Sequence, residues 1–185
     1  MELITQRLRL REFVEGDYLA LREMDCIPEM HTYERDLPDE AETRKSLDEN
    51  IRNQQEVPRT TFRFAITIPP QDAVRGILKL SRQWEAIREW EVGWALHPHE
   101  WGKGYAGEAA WQVMDWAFRE LNVHRIVAFC HADNTTSVRV MEKLGMHQDG
   151  RLRETRWLKG EWWDEFVYSI LDNEWRYGAD LAVFS

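Results

Sequence analysis

Cysteine is scarce in this chain, and it carries neither a long apolar run nor an excess of cations. Only Cys26 and Cys130 occur among 185 residues. With no CxxC pair and no Cys/His spacing of the zinc kind, neither a disulfide framework nor a structural metal is indicated, and two reduced thiols, one of them buried in a strand, are expected. The histidines His31, His97, His99, His124, His131 and His147 are scattered, and none marks a metal site. No stretch approaches the roughly 20 apolar residues that cross a bilayer. Met1 to Leu10 alternates apolar with charged residues where a secretory signal would need an apolar core. The expectation is a cytoplasmic protein with no membrane partner. A formal net charge of -9 disfavours a nucleic-acid partner, which needs cationic surface to release counterions. It suits either a cationic, amine-bearing partner or plain solubility.

What is present is enough apolar material, 43% of the residues, for one well-packed domain of ordinary size. The domain is expected over residues 1–175, with a short tail at 176–185. Ten tryptophans exceed ordinary usage; they favour a dense core and leave room for an aromatic patch that pairs two copies into a homodimer. No repeat, low-complexity tract or long linker divides the chain.

The pattern predicts a first strand over 3–13, where Leu8 and Leu10 alternate with Arg7, Arg9 and Arg11. Polar-faced helices follow at 15–25 and 39–55, punctuated by Pro28, Pro38 and Pro58. Strands are expected at 63–68, 74–81 and 90–96. Ala106, Ala109, Ala110, Val113, Ala117 and Leu121 recur at helical spacing, so 104–121 is an amphipathic helix. A strand at 125–130 leads to a helix at 134–144, which Asp133 or Asn134 can cap and Gly145 can end. Two last strands at 146–157 and 161–171 meet at a Lys159-Gly160 turn. The order β-α-α-β-β-β-α-β-α-β-β implies a mixed α/β (α+β) sheet with helices on its faces.

The chemistry concentrates between the third of these consecutive strands and the long helix, in Pro98-His99-Glu100-Trp101-Gly102-Lys103-Gly104-Tyr105-Ala106-Gly107. Gly102, Gly104 and Ala106 clear side chains from a place where backbone can approach a ligand, and the first amides of the helix point there too. Such a cradle suits a diphosphate, helped by the helix dipole and a screened charge from Lys103. The same residues spell G-x-G-x-x-G (Gly102, Gly104, Gly107). A dinucleotide fold would place that motif early, however, and only 52 residues follow Asp133, too few for its remaining units. A plain glycine-rich turn that merely starts a helix is the bland alternative.

Three segments in this order resemble the GCN5-related N-acetyltransferases (GNAT), and within them the RimJ/RimL-like ribosomal-protein N-terminal acetyltransferases. Thr5-Gln6-Arg7-Leu8-Arg9-Leu10-Arg11 is similar to the family's T-x-R-L-x-L-R. Glu91-Val92-Gly93-Trp94-Ala95-Leu96 and Trp101 to Ala106 resemble its R/Q-x-x-G-x-G/A diphosphate loop, with Trp101 in place of the Arg or Gln. Asn134-Thr135-Thr136-Ser137 with Glu142-Lys143-Leu144-Gly145-Met146 resembles N-x-x-S…E-K-x-G-F, with Met146 for Phe. The resemblance covers residues 2–171.

It implies a mostly antiparallel sheet of about seven strands with about four helices, splayed between the fourth and fifth strands, and acetyl-CoA as cosubstrate. Trp101, Gly102, Lys103, Gly104, Tyr105, Ala106 and Gly107 would hold the diphosphate. Leu96 and Trp94 would bond the pantetheine arm through their backbones near a bulge at Gly93, and Asn134 and Ser137 would contact the cofactor. The acceptor is an amine that must lose a proton. Glu91 is the first choice of base, with Glu154 and Asp133 behind it; a salt-bridged strand carboxylate is the alternative for Glu91. Ser137 occupies the family position of the acid that protonates the thiolate, or is a capping hydroxyl. Asn134 orients the cofactor, caps its helix, or both.

Trp157, Trp162 and Trp163 either line an acceptor pocket or pack in the core. An acidic segment (Glu29, Glu34, Asp36, Asp39, Glu40, Glu42, Asp48, Glu49) overhangs the acceptor side in this fold. A protein or peptide N-terminus leads as acceptor, ahead of an aminoglycoside or polyamine. The reading from a different class is a non-catalytic acyl-CoA-binding module.

Overall fold

A computed structural model of the chain describes residues 1–33 and 36–175. The tail expected at 176–185, and Glu34 of the acidic segment, lie outside the described residues.

The first expected strand is two. β1 (Glu2–Ile4) and β2 (Arg9–Arg11) pair antiparallel across a turn. Alternation alone reads straight through that turn; what folds the chain back is Thr5. Its N–H donates to the Leu8 carbonyl at 3.0 Å, and its hydroxyl oxygen accepts the Leu8 N–H at 2.9 Å. The helices follow the pattern as α1 (Tyr18–Asp25) and α2 (Glu40–Asn53), the second opened by a capping box between Asp39 and Glu42. Then come β3 (Thr61–Thr67), β4 (Gly76–Trp84), β5 (Glu89–Leu96), α3 (Tyr105–Glu120), β6 (Arg125–His131), α4 (Thr135–Lys143), β7 (His147–Leu158) and β8 (Glu161–Leu171). Lys159 and Gly160 both hold positive φ, 55° and 84°, and close the last hairpin across the Leu158–Glu161 pair.

The eight strands form one sheet in the order β1-β2-β3-β4-β5-β6-β8-β7, antiparallel at every join except β5 to β6. One face buries Leu10, Phe64, Leu78, Leu80 and Val92 against Ala109, Ala110, Val113, Met114 and Ala117 of α3. The other buries Ala65 with Phe13, Leu21, Met24 and Leu47, under α1 and α2. Each such fully buried large side chain contributes about 1.5–3 kcal/mol relative to exposure. Both layers are therefore held firmly enough to fix the strands between them.

The parallel join is where the sheet opens. β5 and β6 pair only at Glu89–Arg125, Trp90–Ile126 and Glu91–Val127, although the strands run on to Leu96 and His131. Beyond Glu91 they part, which matches the expected splay: β5 and β6 are the fourth and fifth strands once β1 and β2 are counted as one. The bulge expected at Gly93 is not there. Pairing of β5 with β4 runs in register through Lys79–Gly93, and the irregularity falls between Arg82 and Trp84. A methyl built on Gly93 meets nothing within 4 Å. The strands separate because the β5–β6 ladder stops, without an inserted residue at Gly93.

Candidate active site

His97 N–H donates to the Arg75 carbonyl of the chain leading into β4. By strand alternation the N–H and C=O groups of Ala95 and Gly93 also face β4, whereas those of Val92, Trp94 and Leu96 face the gap. A row of backbone groups without a neighbouring strand is costly to leave unsatisfied and is suited to an extended, amide-bearing ligand.

At the end of β5 the chain makes one 3₁₀ turn (Pro98–Glu100), passes Gly102 at φ +75° and Gly104 at φ +79°, and enters α3. Both glycines sit in the left-handed region that side-chain-bearing residues adopt only under strain. With Gly104 as N-cap, the amides of Tyr105, Ala106 and Gly107 form the first turn, while the Glu108 N–H already bonds the Gly104 carbonyl at 3.1 Å. Trp101 stays half exposed, but its indole Nε1 donates to the Leu96 carbonyl at 2.7 Å. The residue that departs from the motif thus ties the loop to the gap-facing edge of β5.

Lys103 is less available than its sequence position implies. Its Nζ donates to Glu100 at 2.8 Å, and Arg75 lies 3.5 Å from the other oxygen of that carboxylate. Glu100 is buried, which opposes its ionisation. The Lys103 hydrogen bond and charge, with Arg75, outweigh burial and hold the carboxyl below the usual range. Next to it His97 is buried and its pKa is lowered, by desolvation first and then by the charges of Arg75 and His99. Its Nδ1 accepts the His99 N–H at 3.2 Å.

Across the gap, Asn134 is the N-cap of α4: its Oδ1 accepts the Ser137 N–H at 3.1 Å. Ser137 therefore stands in the first turn of α4, half-buried, in the helix that follows β6. Cys130, on β6, is a free buried thiol pushed up to about 11 by desolvation and by Glu165, so it is not a nucleophile at neutral pH.

Glu91 lies at the last paired position before the splay, on the sheet face away from α3, and its Oε2 accepts from Gln83 Nε2 at 2.7 Å. The same face carries a cluster that sequence reasoning missed. His131 stacks on Tyr33 at 5.0 Å between centroids and meets Trp163 edge-on at 4.4 Å; its Nδ1 accepts the Asp133 N–H at 3.0 Å. Opposite His131 in the β6–β8 ladder is the buried Glu165, held by Thr155 Oγ1 and Arg156 Nε, both at 2.8 Å. The pairing of β8 with both β6 and β7, and the stacking of Tyr33 on His131, bring these residues together, so no local spacing announces them. Trp163 is buried here, while Trp157 and Trp162 are 57% and 56% exposed and pack edge-on to each other at the hairpin end. Glu154 is exposed, at φ +52°, in an irregular stretch of β7; Asp133 is exposed at the entry to α4. Among the described residues no cluster of three or more His, Cys, Asp or Glu side chains is placed to hold a metal, and no helix is long and apolar enough to cross a membrane.

A parallel strand pair that opens beside a glycine-built helix start offers a gap and an anion cradle in one continuous groove. The chain belongs to the N-acetyltransferase family: the family model described as acetyltransferase (GNAT) domain matches residues 7–147. Its relatives include the uncharacterized N-acetyltransferase YnaD of Bacillus subtilis (strain 168), 33% identical over 182 residues, which span 95% of this chain and 99% of YnaD. Among solved structures, a GNAT-family acetyltransferase from Bacillus anthracis superposes with a TM-score of 0.81 at 29% identity, over 94% of this chain and 99% of the other. Mycobacterium smegmatis RimJ, in complex with CoA-disulfide, shares the fold with a TM-score of 0.80 at 21% identity, over 92% of this chain and 84% of RimJ.

Proposed function

We propose that this acetyltransferase takes acetyl-CoA as donor and moves its acetyl group to a primary amine by direct attack in a ternary complex, with a protein or peptide N-terminus as the leading acceptor. The observation that carries this reading is the continuity between the glycine loop, which suits a diphosphate, and the gap beside Val92, Trp94 and Leu96, which suits the amides of a pantetheine arm. Together they lead a thioester toward the level of Glu91, where the strands part.

The neutral amine nitrogen attacks the thioester carbonyl carbon, and the carbonyl oxygen takes up negative charge that a gap-facing strand amide can stabilise. Glu91 accepts the proton that the nitrogen must shed, on the carboxylate oxygen not engaged by Gln83. The carbon–sulfur bond then breaks, and Ser137 relays a proton to the leaving thiolate, its hydroxyl proton being replaced from water as Glu91 returns the amine proton to solvent. Asn134 keeps the first turn of α4, and with it Ser137, in place. The N-terminal acceptor is supported by the RimJ/RimL-like motifs and by the fold shared with RimJ; the acidic segment from Glu29 to Glu49 suits any cationic amine.

The test is free-CoA release from acetyl-CoA with a panel of N-terminal peptides, aminoglycosides and spermidine, read against a blank without amine. Amine-dependent release supports transfer and ranks the acceptors. Binding of acetyl-CoA without release to any of them points to a binding module, and no binding overturns the reading of the loop.

A further inference from the structure

We propose that Arg7 and Glu108 are a positioning pair that presets the glycine loop for the diphosphate of the acyl donor. The proposal rests on the loop reading above and assigns a task to the first motif, which that reading leaves idle. Glu108 lies in the first turn of α3 with 3% exposure. A carboxylate that deeply placed is tolerated only when donors surround it, and here they do. Oε1 accepts the Thr5 hydroxyl at 2.5 Å and the Arg7 backbone N–H at 3.0 Å, while Oε2 accepts Arg7 Nε and Nη2, both at 2.6 Å. The turn joining β1 and β2 is thereby fastened to the start of a helix about a hundred residues later in the chain.

The guanidinium does more than neutralise that carboxylate. Its Nη1 donates to the Lys103 carbonyl at 3.0 Å, and the group lies 4.9 Å from the Tyr105 ring centroid, so it spans the loop from Lys103 to the first helical residue. The Lys103–Gly104 peptide turns about ψ of Lys103 and φ of Gly104, and Gly104, at φ +79°, has no side chain to resist that rotation. In a trans peptide the C=O and the following N–H point in opposite directions. Holding the Lys103 oxygen on Arg7 therefore holds the Gly104 N–H on the other side, turned away from Arg7. An amide aimed in advance loses no ordering entropy when an anion arrives.

Two contributions predict opposite signs for one substitution. If Glu108 acted only as a nearby negative charge, Glu108→Gln would tighten the binding of CoA, because a like charge would have left the diphosphate's surroundings. If it acts by holding Arg7 on Lys103, the same substitution weakens binding. Arg7→Met removes the tether and strands the carboxylate beside the loop, so both contributions weaken binding.

The experiment is calorimetric titration of CoA, with NMR titration of pantetheine, which lacks the diphosphate, on the wild type, Arg7→Met, Arg7→Lys and Glu108→Gln. The expected result is a loss of CoA affinity of about tenfold or more in Arg7→Met and Glu108→Gln, a smaller loss in Arg7→Lys, and pantetheine binding unchanged within about twofold. Should Arg7→Met not fold by circular dichroism, Arg7→Lys and Glu108→Gln carry the test. Unchanged or tighter CoA binding in Glu108→Gln, or a parallel loss of pantetheine binding, overturns the positioning role. A wild type that binds no CoA overturns the loop reading itself, which is a different failure.

Discussion

Gly102 and Gly145 offer a matched pair for testing the anion cradle. Both hold positive φ, +75° and +77°. A methyl added at Gly102 meets no atom within 4 Å, and one added at Gly145, just past the end of α4, meets only Ile170 Cδ1 at 3.8 Å. Neither alanine variant clashes, so each is charged the same left-handed backbone strain, about 1–2 kcal/mol. At about 2–4 °C per kcal/mol for a chain of this size, both variants should melt about 2–8 °C below the wild type. Strain present equally in free and bound protein leaves affinity untouched. The ligand sees a difference only at Gly102, where the new methyl enters the proposed diphosphate space or the loop relaxes to negative φ and turns its amides aside. Gly102→Ala should therefore weaken CoA binding by at least about tenfold, or 1.4 kcal/mol, and Gly145→Ala should not. Thermal melts and calorimetry on both variants measure the two effects separately. Equal affinities with equal destabilisation would refute the placement of the diphosphate at this loop.

Gly76→Ala should destabilise by about 1–3 kcal/mol in denaturant titration, since its Cβ would lie 2.3 Å from Leu96 Cδ2 and 2.8 Å from the Ala95 carbonyl oxygen, which cannot both yield. Glu91→Gln should lower turnover by about 10²-fold or more; full activity with an unchanged pH profile removes Glu91 as the base. Ser137→Ala should slow turnover with acetyl-CoA affinity kept, and a loss under about threefold reduces Ser137 to a residue of the helix cap. Stability should fall on the acid side. His97 titrates below its ordinary 6.5 in the folded state because of burial and the charges of Arg75 and His99, so its contribution is full above about pH 6.5 and declines as the unfolded chain takes up the proton. Glu100, also lowered, adds a second decline below its ordinary 4.5. Denaturant midpoints across pH 8 to 3 check both, and His97→Gln should remove only the upper step.

Local chemistry was enough to read most of the elements. The helix at α3 follows from alanines at helical spacing and α4 from an asparagine cap and a glycine end, because helix signals are carried by residues within one or two turns of each other. The glycine loop was legible for the same reason: positive φ at Gly102 and Gly104 is a backbone demand that residue type alone can meet. The break between β1 and β2 was not legible, since the Thr5 hydroxyl competes for backbone groups in a way that apolar alternation cannot register.

By itself, then, the sequence determined the order of helices and strands, the position of the anion cradle and the motifs that join it to a family, all of them properties of neighbouring residues. Only the tertiary structure decided which charges meet. It paired Lys103 with Glu100, closed Arg7 on Glu108, and set Glu165 across from His131 beside Trp163. It also decided that the sheet opens by ending a ladder after Glu91 instead of by a bulge at Gly93. Pairing between strands and turns far apart in the chain depends on register and layer packing, and neither leaves a mark on local spacing.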